Sequence, residues 1–168
     1  MKNSNLQLRQ EVFKSDALKI INWMEDEEVI KYLNESRNVC KSIKDVVNTV
    51  NMPILTHLFN RDGSFYMITK KEESIGFLRL VPKGNNAEIV IVIGDKANWG
   101  KGLGGKAIFE GLKKAFFNWR VEHVVAKIHF KNQRSRKVFK KVGFTVDKEL
   151  TKEIQYSMSM DNFLKIAA

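Results

Sequence analysis

I-V-I-V-I-G-D-K-A-N-W-G-K-G-L-G-G-K, residues 89–106, is the stretch whose reading decides the fold. It opens with Ile89, Val90, Ile91, Val92 and Ile93, an unbroken β-branched run that reads as a strand buried on both faces. A polar turn follows at residues 94–98, and then Gly100, Gly102, Gly104 and Gly105 stand among Trp99, Lys101, Leu103 and Lys106. From there Leu103, Ala107, Ile108, Leu112, Ala115, Phe116 and Trp119 recur at spacings that predict a helix with one apolar face. A strand, a glycine turn and a helix start together make an anion cradle. Glycine lacks the Cβ that would keep a ligand away, the first helical N–H groups have no partner within the helix, and the helix dipole adds about half a positive charge there. A phosphate is the natural occupant of such a place. The glycines do not complete G-x-G-x-x-G with an acid about 20 residues on, and no G-x-x-x-x-G-K-[ST] is present, which argues against a dinucleotide fold and a P-loop.

Working outward, Leu6 and Leu8 around Gln7 and Arg9 read as a short first strand. Ser15-Asp16 offers an N-cap for a helix through Ala17, Leu18, Ile21, Trp23 and Met24, and a second short helix is expected over residues 27–33. Ser42-x-x-Asp45 has the form of a capping box ahead of Val46, Val47 and Val50, with Pro53 ending that segment. R-D-G-S at residues 61–64 is a turn signal. Residues 65–69 and 75–80 predict a hairpin, and residues 82–86 turn into the central strand. Downstream come a strand at 124–130, a helix at 132–142 stopped by Gly143, and an alternating strand holding Ile154, Tyr156, Met158 and Met160. The order predicts an α/β (α+β) fold: a mixed, mostly antiparallel central sheet with helices on both faces.

The 168 residues suit one domain, and a 43% hydrophobic fraction is enough to fill its core. No apolar run approaches the roughly 18 residues of a membrane span. The N-terminal M-K-N-S-N-L-Q lacks an apolar signal core, so a cytoplasmic location without membrane contact is expected. A single cysteine, Cys40, points to neither an internal disulfide nor a metal site. The net charge of +10 suits a polyanionic ligand, and Lys131, Arg134, Arg136, Lys137, Lys140 and Lys141 concentrate part of it with no acid between them. Nucleic acid is not the expected partner, because no aromatic residues interleave this cluster in a base-stacking pattern and no helix-turn-helix or zinc signature is present.

Two segments carry a family resemblance. W-G-K-G-L-G-G-K-A, residues 99–107, resembles the acyl-CoA loop of the GNAT family of N-acetyltransferases. N-Q-R-S-R-K-V-F-K-K-V-G-F, residues 132–144, is similar to the family's second signature, N-x-x-S followed by a Gly-Phe pair. The match covers residues 65–168 in order, and I-N-W-M-E-D-E-E-V-I-K-Y-L, residues 21–33, resembles the opening helices of the ribosomal-protein branch. Trp99 stands where the family often has Gln or Arg, as it does in that branch. The resemblance implies one GNAT domain over residues 1–168, built on splayed central strands. It implies acetyl-CoA as donor, with its pantetheine arm along Ile91, Val92 and Ile93. The pyrophosphate would lie on Trp99, Gly100, Lys101, Gly102, Leu103, Gly104, Gly105 and Lys106, and Asn132 and Ser135 would sit beside the arm.

Acetyl transfer to an amine needs a neutral nitrogen, a stabilised oxyanion and a proton for the leaving thiolate. Glu88, at the start of the central strand, is the candidate base, and His129 on the facing strand is the second. The family's usual hydroxyl donor position holds Phe139, which leaves Tyr156, Tyr66, Ser135 or water for that role. The expected activity is therefore transfer of acetyl from acetyl-CoA to a primary amine in a ternary complex. The acceptor is a protein N-terminus or a small-molecule amine. The alternative is a non-catalytic acyl-CoA sensor of the same fold. A homodimer through the C-terminal strand is the assembly this reading allows.

Overall fold

In the computed structural model, the described residues are 5–33, 37–49 and 51–168, with the side chains of 37–40 outside the description. Cys40 therefore has no described side chain, and Val50 lies outside the described residues.

Seven strands form one sheet: β1 (Leu6–Arg9), β2 (Ser64–Lys70), β3 (Glu73–Lys83), β4 (Asn86–Ile93), β5 (His123–His129), β6 (Thr145–Glu149) and β7 (Glu153–Ser159). Their order is β1-β2-β3-β4-β5-β7-β6, and every neighbouring pair is antiparallel except β4 and β5. The β2–β3 hairpin turns through Lys71 and Glu72 alone, both at positive φ (50° and 70°), as a two-residue turn between twisted strands requires. β3 is longer than its hydrophobic run suggests. Pro82 pairs with Ala87 inside the ladder instead of opening the turn, which contains only Gly84 and Asn85.

Helices cover both faces. On one lie α1 (Lys14–Glu25), α2 (Glu27–Ile30), α3 (Arg37–Thr49) and α4 (Thr56–Phe59). They enclose a core of Ile20, Met24, Val47, Leu55, Phe65, Met67, Phe77 and Val92. On the other lie α5 (Leu103–Lys113), α6 (Gln133–Val142) and α7 (Met160–Ala167). Their core includes Leu78, Ile89, Ile108, Leu112, Phe116, Phe139 and Phe163. Side chains alternate across β4, so Ile89, Ile91 and Ile93 turn toward the α5 core while Glu88, Val90 and Val92 turn toward α1. The strand is not buried on both faces throughout: Val90, Ile91 and Ile93 are only partly buried, because the ladder toward β5 ends early.

Three expectations are corrected, and one strand is added. Asp16 is not an N-cap. The helix starts at Lys14, and Asp16 sits one turn in, where its carboxylate accepts from the Phe13 N–H at 2.9 Å. Ser42 lies inside α3 and not at its N-terminus, since the helix starts upstream at Arg37. Met160 begins α7, because the Ser159 hydroxyl accepts from Asn162 N–H at 3.1 Å and turns strand into helix. β6 was not foreseen. All five of its residues are exposed, so its sequence shows no alternation to read.

Candidate active site

β4 and β5 run side by side only at Ala87↔Val124 and Glu88↔Val125, then separate. Beyond Glu88 the edge of β4 facing β5 has no ladder partner among the described residues. Buried strand amides are almost always paired, so this edge suits a ligand that brings amides of its own. A cavity of about 600 Å³ fills the gap. It runs through the sheet. Gly102, Leu103, Gly104, Ser135, Val138 and Phe139 line it on the α5–α6 side, while Tyr32, Arg79, Val81, Glu88, Lys127 and His129 line it on the α1–α2 side.

At the first end the chain leaves β4 through a 3₁₀ turn, Lys96–Asn98. Asp95 caps this turn by accepting from Ala97 N–H at 3.1 Å. Gly100 and Gly102 both adopt φ of +75°, and Gly102 is the N-cap of α5. In this left-handed region a Cβ is costly, so the backbone path itself calls for glycine at both positions. Gly104 and Gly105 are not held to glycine in this way: a Cβ there would sit 3.8 and 3.7 Å from Val138 and Val142, an ordinary contact where α5 packs on α6. Trp99 joins the parts. Its Nε1 donates to the Ile93 carbonyl at 2.7 Å, and the Arg134 guanidinium lies over its ring at 3.6 Å. A cation is thereby held beside the free N–H groups at the start of α5, where an anion already gains from the dipole.

Of the residues singled out in sequence, Glu88, Ile91, Val92, Ile93, Trp99, Gly100, Gly102, Leu103, Gly104, His129, Asn132 and Ser135 line the cavity. Lys101, Gly105, Lys106 and Tyr156 are not among the lining residues. Lys101 and Lys106 are exposed. Tyr156 is wholly buried, and its hydroxyl accepts from Arg136 Nε at 3.0 Å, while Arg136 Nη1 also donates to the Phe130 carbonyl at 2.9 Å. Arg136 is thus tied to the core and is not a free member of the basic helix face. The Asn132 Oδ1 caps α6 by accepting from Ser135 N–H at 3.2 Å.

Glu88 occupies the last paired position before the strands part, and its carboxylate is 3.4 Å from Lys127 Nζ. Arg79 stands on the same face of the neighbouring strand; burial pulls its pKa down, and the charge of Glu88 opposes that. His129 stacks on Phe130 and meets Tyr32 at a tilt, with ring centroids 4.9 and 5.1 Å away. Its Nδ1 accepts from Lys131 N–H at 3.2 Å. Sequence reasoning missed Arg79 and Lys127 as wall residues. The signal was there: each sits an even number of residues from a strand position that turns toward α1. The Trp99–Arg134 pair left no such trace, since it depends on how α6 docks.

Comparisons with known proteins agree with this geometry. The family model described as Acetyltransferase (GNAT) domain matches residues 5–145. An N-acetyltransferase 9-like protein of Nematostella vectensis is 32% identical over 84 residues, which is 49% of this chain and 42% of that protein. The match thus spans less than half of that relative's length. Among solved structures, spermidine N-acetyltransferase from Vibrio cholerae in complex with CoA and spermine superposes with a TM-score of 0.79 at 17% identity, over 96% of this chain and 99% of that one. The aminoglycoside acetyltransferase AAC(6')-Ib in complex with coenzyme A gives 0.77 at 14% identity, over 99% and 100%. These two likenesses are of fold. With the family model covering most of its length, the chain belongs to the GNAT acetyltransferase family.

Proposed function

We propose that this protein transfers the acetyl group of acetyl-CoA to a primary amine by direct attack while both are bound. The supporting observation is the passage through the sheet. A donor entering over α5 and an acceptor entering beside α2 would meet where β4 and β5 part, at Glu88. The donor's pyrophosphate would lie on the turn formed by Trp99, Gly100 and Gly102, with Arg134 beside it, and its amides would pair with the open edge of β4. Acetyl-CoA supplies an activated thioester; the amine nitrogen bonds to its carbonyl carbon and the carbon–sulfur bond breaks. Glu88 takes the proton released by the amine, directly or through one water. The Ile93 backbone N–H, on the edge of β4 away from β3, stabilises the oxyanion, whereas that of Val92 turns into the β3 ladder. The leaving thiol resembles free cysteine, with a pKa of about 8.5, so water can reprotonate it. This suits a site in which Phe139, buried against Phe144, brings no hydroxyl.

The test is calorimetry with acetyl-CoA followed by thiol release with a panel of amines. Glu88→Gln should retain donor affinity and lose about 10²- to 10⁴-fold in kcat. Unchanged turnover at every pH would remove Glu88 as base. Acetyl-CoA binding without turnover on any amine would favour the sensor reading, which the absence of a hydroxyl at Phe139 supports.

A further inference from the structure

A second cavity, of about 480 Å³, lies under α1, α3 and α4 on the face of the sheet that carries Glu88. Met24, Ile43, Val46, Leu58, Phe59 and Phe77 make its apolar wall. The cavity opens to solvent and its wall is largely apolar, so it suits the apolar part of a bound molecule. Its position says which one. Arg79 and Val81 line both cavities. Val81 is directly opposite Glu88 in the β3–β4 ladder, and such paired side chains have Cβ atoms about 4.5–5.5 Å apart. A molecule with its nitrogen at Glu88 therefore has its next few atoms at the shared wall.

Charge narrows the class further. At the acceptor end Glu28, Glu88 and Glu153 face Lys31, Arg79 and Lys127. Glu28 pairs with Lys96 at 3.0 Å and Glu88 with Lys127 at 3.4 Å. A site for a polycation needs an excess of carboxylates, which these residues do not provide. Arg79 and Lys127 beside the attack point also favour a neutral nitrogen over an ammonium.

Resting on the acetyltransferase reading above, we propose that the acceptor is a single primary amine borne on an apolar body, and that the body occupies the second cavity. Such an amine comes from an arylalkyl or alkyl amine or from a peptide with apolar first residues. Titrating 3-phenylpropylamine, a tripeptide with leucine in its first two positions, and spermidine into the protein, alone and saturated with CoA, separates these sources. The expected result is saturable binding of at least one apolar amine and weaker binding of spermidine. Filling the cavity from two different elements, with Val46→Trp on α3 and Leu58→Trp on α4, should each weaken apolar-amine binding by about tenfold or more, with acetyl-CoA affinity unchanged as the sign of an intact fold. Preference for spermidine, or apolar-amine binding unmoved by both fillings, overturns the proposal. Because binding is read without turnover, these outcomes differ from failure of the acetyltransferase reading, which would appear as amine and acetyl-CoA both bound with no thiol released.

Discussion

Asp16 and Trp99 show how much single side chains decide here. Asp16 is 4% exposed. Burial pushes its carboxyl up, but hydrogen bonds from Arg9, from the Ser74 hydroxyl at 2.6 Å and from the Phe13 N–H outweigh that and hold its pKa below the usual 3.8. A carboxyl lowered by folding stabilises the native state above its unfolded pKa, and the gain is lost as pH falls through the folded value. Asp16→Asn should therefore cost about 1–3 kcal/mol at pH 7, and urea unfolding below pH 3.8 should show the difference from wild type shrinking. Trp99 acts on ligand binding instead. Trp99→Leu releases Arg134, and a cation–π contact is worth about 0.5–2 kcal/mol, so acetyl-CoA affinity should drop several-fold. In a double-mutant cycle with Arg134→Ala the two losses should be less than additive, because the second change removes what the first has already freed. Neither network is visible in the sequence. Arg9, Asp16 and Ser74 lie on three separate elements, and the hydrogen bond that places Asp16 inside the first turn of α1 gives the same Ser-Asp pattern as an N-cap.

Among elements, those whose face is decided by burial were legible and those decided by docking were not. β2, β3, β4, α5 and α6 announce themselves because each sets a periodic apolar face against the core. β6 has no buried residue, and α7 follows the alternating Ile154, Tyr156 and Met158 so closely that Met160 reads as more strand until Ser159 caps it. The glycine turn was legible in kind but not in detail. Four glycines looked like one cradle, whereas only Gly100 and Gly102 of the four adopt positive φ, and Gly105 faces α6 with room for a Cβ. Gly102→Ala should therefore cost about 1–2 kcal/mol through left-handed strain and weaken acetyl-CoA binding by tilting the start of α5. Gly105→Ala, which meets only ordinary contacts, should do little of either. Thermal melts and calorimetry on the two variants check this.

At the scale of the whole molecule, the parting of β4 and β5 turns a sheet into a passage. It gives the two layers of helices different work. The α5–α6 layer offers a glycine turn, a helix start and a held arginine; the α1–α4 layer offers Glu88, a balanced set of charges and an apolar cavity. The family signatures in residues 99–107 and 132–144 lie on the first layer alone, which is why the donor was legible and the acceptor was not. The proposed acceptor side comes from positions scattered over α1, α3, α4 and β3 that only folding brings together. The central claim is that acetyl-CoA completes the sheet at this opening. A crystal structure of the protein grown with acetyl-CoA tests it most directly. The pantetheine arm should lie between β4 and β5, bonded to the backbone of Ile91 or Ile93, with the pyrophosphate on the turn from Trp99 to Gly102. A ligand bound elsewhere, or β4 and β5 closed on each other with no ligand between them, would contradict the account.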